Sequence, residues 1–413
     1  MAVKRVIIHL GMSKAGSSSI QATLFNNTAA LKGGGFKYLT EWHTNHLIIF
    51  KHLFSEYPVN PTGTGKLGRY SAGRKHKNKY YIKKLLQVIN TIECETLILS
   101  GECFHELWLD STIRNINNFI EKYFKSNGIE TTILLIVRNP IDWLTSSLQE
   151  RLYKNGFLNK NCDFFETIIQ QYNGIINLHK QCSCPLILFK FEEACLDKDG
   201  LVGCFLKTIG FPEAELKNIN FFRSNESRCM EVMELIYFIE SIEPIHPYNN
   251  YRVYNPYRFR GDYSSMRDII GVKFELPFEG KIEFWKRAGE TVRLLKEITG
   301  IDYTPPPLKK TISTDSLYSE ATIQGFIKAF PKLSFALQKH FLKFFEKKYM
   351  ETAQEKFKQL HFQGSVPWEI YHSKSVFFSL LALRINYRCQ KIKRTIRENI
   401  SESAKTFLKR ILR

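Results

Sequence analysis

Long apolar runs are missing from this sequence. The longest, residues 376–383 and 133–137, fall far short of the roughly 18 needed to cross a bilayer. Residues 1–10 hold an apolar run only over 6–10, with no small-residue cleavage site after it, so no signal peptide is read there. A paired-cysteine framework is missing too. Nine cysteines in 413 residues is an ordinary density and an odd number, and Cys182 and Cys184 stand too close for a zinc pair. A reducing compartment follows, so the expected location is the cytoplasm, at most the inner face of a membrane. Acidic residues are scarce: 40 against 59 Lys and Arg, for a formal charge of +19. That balance favours polyanionic partners such as nucleotides, acidic glycans or anionic headgroups. Internal repeats are absent. Apolar material is plentiful, at 44% hydrophobic and 14% aromatic, which excludes a mainly disordered chain and provides for two or three folded units.

Short apolar runs bounded by polar residues or Gly recur at 6–10, 96–100, 132–137 and 186–189. Apolar throughout, they suit strands of a parallel sheet covered on both faces. Helical patterns fall between and after them, at 17–26, 111–125, 141–153, 163–180, 198–209 and 229–242. The alternation predicts an α/β fold, a central parallel sheet flanked by helices. Residues 60–79 and 244–262 read as loops. Pro305, Pro306 and Pro307 stop any helix before them and divide an α/β domain, 1–304, from a basic helical region, 305–413. Residues 309–413 carry 21 Lys and Arg against 8 Asp and Glu. There Phe341, Phe344, Phe345 and Tyr349 recur at helical spacing among lysines, and further helices are expected at 375–392 and 403–412.

The strongest local signal follows the first strand. Gly11-Met-Ser-Lys-Ala-Gly-Ser-Ser-Ser19 runs from a strand through a tight loop into a helix. Such a loop aims successive N–H groups, at the positive end of a helix, toward one point, which makes an anion site. Gly11 and Gly16 allow close backbone approach, Lys14 adds a mobile charge, and Ser17, Ser18 and Ser19 can cap the helix and donate to phosphate oxygens. The loop departs from the nucleoside triphosphate pattern, because Ser17 occupies the position of that pattern's Lys. A second signal, Arg138 at a strand end with Ser146 eight residues on, puts a cation and a hydroxyl beyond the carboxyl edge of the sheet.

Lys14-Ala15-Gly16-Ser17-Ser18 resembles the 5′-phosphosulfate loop of sulfotransferases that use 3′-phosphoadenosine 5′-phosphosulfate (PAPS), and residues 9–21 are closest to the bacterial branch. Arg138 and Ser146 match that family's 3′-phosphate motif. Phe191-Glu192 stands where the family commonly has Tyr-Glu, and residues 223–227 resemble a serine-bearing segment of bacterial members. The resemblance spans roughly residues 4–300. It implies PAPS as co-substrate, no metal, binding by Lys14, Ala15, Gly16, Ser17, Ser18, Ser19, Arg138 and Ser146, and stabilisation of the leaving oxygen by Lys14. The base on the acceptor is open between Glu102, which follows the second apolar run, and His46; His43, Glu41 and His105 are further candidates, whereas His9 reads as a core residue.

The expected function is therefore sulfuryl transfer to a hydroxyl or amine of a carbohydrate, glycolipid or polysaccharide. The basic C-terminal helices are expected to meet a glycan or an anionic membrane surface. No nucleic-acid motif is present. The competing readings are an ATP-dependent P-loop kinase and a non-catalytic protein that binds membranes or polyanions.

Overall fold

The computed structural model describes residues 3–54, 71–101, 110–155, 164–224, 227–245, 255, 263–305 and 317–352. Its centre is a parallel sheet of β1 (Arg5–His9), β2 (Phe36–Tyr38), β3 (Thr96–Ser100), β4 (Glu130–Val137) and β5 (Leu186–Lys190), in the order β2-β3-β1-β4-β5. Register pairs Val6 with Leu97 on one side and with Thr131 on the other. The predicted α/β class is the observed one. Four strands lie where apolar runs predict them. The three-residue β2 is too short to show a period, and the sequence reading passes over it.

The chain forms two compact units. The first holds residues 1–147, 161–226 and 276–311. Its helices are α1 (Ser17–Asn26), α2 (Thr28–Gly33), α3 (Leu47–Phe54), α4 (Ser71–Thr91), α5 (Asp110–Tyr123), the first half of α6 (Pro140–Asn155), α7 (Phe164–Gln181), α8 (Phe191–Ala194), α9 (Gly200–Thr208) and, after α10 (Met230–Ile242) of the second unit, α11 (Phe278–Thr299). Helix α4 overturns part of the expected loop at 60–79. Its first turns are a Lys-, His- and Asn-rich stretch with no apolar period to announce a helix. The rest of that loop lies outside the described residues.

The strand order places a topological switch beside β1. The connection from β1 leaves toward β2, whereas that from β4 leaves toward β5, so a crevice opens between the carboxyl ends of these two neighbours. Ligands of open α/β sheets bind in such a crevice.

The second unit holds residues 148–160, 227–275 and 312–413. It thus takes in more than the region beyond the prolines. Its described helices are α10 (Met230–Ile242), α12 (Glu320–Ala329) and α13 (Phe335–Thr352). They enclose a core in which Leu235, Ile236, Ile239, Phe326, Phe341 and Phe345 are fully buried. Phe341, Phe344 and Phe345 therefore face protein, not an expected membrane surface. Tyr349's side chain, residues 375–392 and 403–412, and nearly all of the 244–262 loop lie outside the described residues. No described helix is long and apolar enough to cross a membrane.

Candidate active site

The loop after β1 remains tied to β4 beyond the end of the strand. Leu10 N–H donates to Leu134 O at 3.0 Å, Met12 N–H to Ile136 O at 3.2 Å, and Ile136 N–H to Gly11 O at 2.9 Å. The chain then turns through three left-handed positions, Gly11 (φ 103°), Lys14 (φ 62°) and Gly16 (φ 77°). For Lys14 this conformation costs on the order of 1 kcal/mol or more, so surrounding contacts must hold it. They hold it by its carbonyls. Ser17 Oγ donates to Met12 O at 2.9 Å, Trp143 Nε1 to Ser13 O at 2.5 Å, and Arg138 Nη1 to Lys14 O. At Gly16 the left-handed φ favours glycine, and a Cβ there would displace Leu201, whose Cδ2 would lie 1.9 Å away.

With the carbonyls held, the amides of Gly16, Ser17 and Ser18 have no partner among the described residues. The first N–H groups of a helix lack intrahelical acceptors in any case, and here no side chain caps them. Two of the serines depart from expectation. Ser17 is buried and braces the loop through Met12 O, so its hydroxyl is not a cap. Ser19 Oγ accepts from Ser224 N–H at 3.1 Å and meets Ser224 Oγ at 3.3 Å. Ser18 keeps a half-exposed hydroxyl with no partner among the described residues.

Ser19 belongs to a row. Ser19, Thr23 and Asn27, four residues apart, accept from the N–H groups of Ser224 (3.1 Å), Phe222 (3.0 Å) and Asn220 (2.8 Å). Four helical residues rise about 6 Å and two extended residues span about 6.6 Å, so the spacings match and residues 220–224 lie along α1 in the opposite direction. Arg223 in this segment is exposed, and residues 225–226 lie outside the described ones.

Arg138 sits on the far side of the crevice. Its guanidinium lies 4.7 Å from the centroid of the Phe191 ring, and its Nε is buried without a hydrogen-bond partner. Burial lowers its pKa from the ordinary arginine value. Among the described residues no carboxylate is within ion-pair distance of it. The turn that carries it is braced separately. Tyr172 Oη donates to Arg138 O at 2.6 Å, Asn139 N–H to Glu192 Oε1 at 2.7 Å, and Tyr303 Oη to Val137 O at 2.9 Å. Asn139 Oδ1 also accepts from Ile141 N–H at 2.9 Å, capping α6. Ser146, two turns along α6, is half-buried, and its hydroxyl has no hydrogen-bond partner among the described residues.

His46 requires a correction. It is fully buried, and both ring nitrogens are engaged. Ser100 N–H donates to Nδ1 at 3.0 Å, so Nε2 carries the proton and donates to Leu39 O at 2.9 Å. The ring stacks on Tyr38 at 4.7 Å, and burial holds its pKa down at about 4. An imidazole so placed has no lone pair for an acceptor hydroxyl; it is a strut between the turn after β2 and the end of β3. His9 is the core residue expected: fully buried, 2.8 Å from Ser100 Oγ, with its pKa lowered by burial to about 3. Glu41 pairs with Lys37 at 3.1 Å, and His43 is exposed. Glu102 and His105 lie outside the described residues.

The sequence reading missed Trp143 and the part played by Phe191. Trp143 follows Arg138 by five residues, on the first turn of α6, a spacing that could have flagged it as a reader of the neighbouring loop. No group of three or more His, Cys, Asp or Glu able to hold a metal occurs among the described residues.

No protein-family model matches the chain, and no curated protein does. Among solved structures it is similar to retinol dehydratase in complex with androsterone and the inactive cofactor PAP, at 12% identity and a TM-score of 0.29, over 73% of this chain and 84% of that one. It is also similar to a sulfotransferase from Alicyclobacillus acidocaldarius, at 13% identity and a TM-score of 0.39, over 73% of this chain and 98% of that one.

Proposed function

We propose that the protein is a sulfotransferase that moves a sulfuryl group from PAPS to a hydroxyl or amine of a carbohydrate, glycolipid or polysaccharide. The observation that carries this reading is the bond from Arg138 to the Lys14 carbonyl. It joins the serine-rich loop and the strand-end arginine in one crevice, and the guanidinium keeps a buried Nε without a partner. A buried donor left unpaired costs about 1–3 kcal/mol, so such a group fits a ligand that completes it. A donor nucleotide with phosphates at both ends would engage the loop amides through one and Arg138 with Ser146 through the other.

Sulfuryl transfer resembles phosphoryl transfer, in which positioning and charge stabilisation do most of the work. The acceptor oxygen attacks sulfur in line while the bridging oxygen departs. Lys14 carries the charge that meets the departing oxygen, and the loop amides hold the non-bridging oxygens. With His46 engaged, Glu102 is the acid we assign as base on the acceptor. No step calls for a metal. The glycan acceptor is supported by the chain's charge: residues 353–413 alone hold 13 Lys and Arg against 4 Glu, suited to an acidic glycan or anionic headgroups on the inner face of a membrane.

Thermal stability measured with adenosine 3′,5′-bisphosphate, with ATP and magnesium, and with neither tests the donor. Stabilisation by the bisphosphate alone is expected. A response only to ATP and magnesium would favour the kinase, and a response to neither would leave a binding protein. Transfer of labelled sulfate from PAPS onto extracted glycans and lipids then identifies the acceptor.

A further inference from the structure

Cys182 and Cys184 flank one serine where α7 gives way to β5, and nothing in the proposed transfer uses them. Their sulfurs lie 3.6 Å apart, and both residues are half-buried. The turn between them is held from outside by one side chain. Asn117 of α5 donates from Nδ2 to Gln181 O at 2.7 Å and accepts at Oδ1 from Ser183 N–H at 3.1 Å. Cys182 N–H donates to Leu178 O at 2.9 Å, and Gln181 Nε2 donates to Asp110 Oδ1 at 2.8 Å. Three of these hydrogen bonds fix the backbone around the first cysteine, the fourth holds the Gln181 side chain, and the two sulfurs face each other. Two thiols in contact are one sulfur–sulfur bond of about 2.05 Å from a disulfide, a closure reached by small side-chain movement.

We propose that Cys182 and Cys184 form a dithiol–disulfide couple that reacts with low-molecular-weight disulfides. The Cys182 thiolate attacks one sulfur of R–S–S–R and expels RS⁻. Cys184 then gives up its proton and attacks Cys182 Sγ in the mixed disulfide, expelling the second RS⁻. The protein loses two hydrogens, and one R–S–S–R becomes two RSH. The contact between the two sulfurs lets one thiol stabilise the thiolate of the other. That contact lowers the pKa of Cys182 and raises that of Cys184. A thiolate available near neutral pH is the competent nucleophile in such exchange.

The full chain, equilibrated over a series of reduced and oxidised glutathione ratios, then acid-quenched, denatured, alkylated and mapped by mass spectrometry, tests the proposal. The peptide holding residues 182 and 184 is expected to lose both alkyl groups together, with the mass of two hydrogens gone. In Cys184→Ser the exchange should stop at one glutathionyl group on Cys182, and in Cys182→Ser the thiol of Cys184 should stay free. The alkylation rate of Cys182 should rise at a lower pH in the wild type than in Cys184→Ser. The proposal is overturned if both thiols persist in oxidised glutathione, if either pairs with another cysteine of the chain, or if Cys182→Ser takes up glutathione at Cys184 as readily as Cys184→Ser does at Cys182.

Discussion

Helix α10 of the second unit carries carboxylates into its core, and the neighbouring backbone supplies their donors. Glu231, fully buried, accepts from Val272 N–H at 3.1 Å and Tyr318 N–H at 3.2 Å; Glu240 accepts from Ile245 N–H at 3.0 Å and Tyr263 Oη at 2.5 Å. In the first unit Arg138 is also largely sunk, yet one nitrogen finds only a carbonyl and Nε finds nothing. Both regions bury charge, which is costly unless it is hydrogen-bonded. In the second unit these two carboxylates are completed from within and so hold the loops about them. In the first, Arg138 Nε has no hydrogen-bond partner among the described residues, at the crevice beside the anion loop. An unfilled nitrogen alone does not mark a functional charge; its place at the carboxyl edge of the sheet does.

The sharpest way to break this comparison is at the loop. Lys14→Ala should lower kcat on the order of 10²–10³-fold, since it removes one charge aimed at the departing oxygen. Its unfolding midpoint should stay close to that of wild type, because the carbonyls of Ser13 and Lys14 anchor the loop. Near wild-type turnover would overthrow the mechanism. Glu231→Ala should show the reverse pattern. It strands one buried backbone donor, the Tyr318 N–H, at a cost of about 1–3 kcal/mol, and the part-buried Val272 N–H at less, and urea denaturation should register the loss while bisphosphate affinity under native conditions is unchanged. A variant as stable as wild type would mean that α10 does not hold its loops in this way.

Acid sharpens the contrast inside the first unit itself. His9 and His46 are buried neutral, with pKa values lowered by burial to about 3 and about 4, against about 6.5 in the unfolded chain. Below pH 6.5 the unfolded chain therefore binds protons that the folded one refuses. The stability present above pH 6.5 is lost as pH falls toward 4 and then 3, on the order of 1 kcal/mol per pH unit for each ring. Denaturation midpoints at pH 7, 6, 5 and 4 should show this slope, and His46→Asn should flatten it. The same variant should leave any acidic limb in the pH–rate profile where it was, since both ring nitrogens of His46 are engaged within the fold.

Much of this architecture can be read from residue patterns alone. The strands over 96–100 and 132–137 are legible because both faces of a parallel sheet are covered, which makes each an unbroken apolar run. The anion loop is legible because its glycines, lysine and serines fall within nine residues. What escapes is whatever depends on contacts distant in sequence. His46 stands among polar residues like a catalytic base, and only the Ser100 N–H, 54 residues on, uses up its lone pair. Ser17 looks like a cap until its hydroxyl turns back to Met12 O. Phe341 and Phe345, spaced among lysines, suit a membrane surface as well as a core until α10 and α12 close over them.

Phe191 gives the smallest and most discriminating test. Its ring lies under the Arg138 guanidinium, and the edge atom Cε2 would be 3.4 Å from a Cβ at Gly16, so it touches both halves of the crevice. An aromatic face beneath a guanidinium is worth about 0.5–1 kcal/mol at an exposed site and about 2 kcal/mol when desolvated. Phe191→Leu keeps an apolar side chain but has no π face, and the guanidinium becomes freer to leave its position above the ring. The effect should fall on binding: KM for PAPS and Kd for the bisphosphate rise about fivefold, while kcat at saturation is unchanged, because the ring does not face the departing oxygen. Phe191→Tyr keeps the ring and should bind like wild type. If leucine binds as tightly as phenylalanine, the ring is packing alone, and Arg138 is held in place by the Lys14 carbonyl and the braced turn that carries it. If leucine lowers kcat instead, the ring orients the loop more than the arginine, and the division of labour between the two sides of the crevice would have to be redrawn.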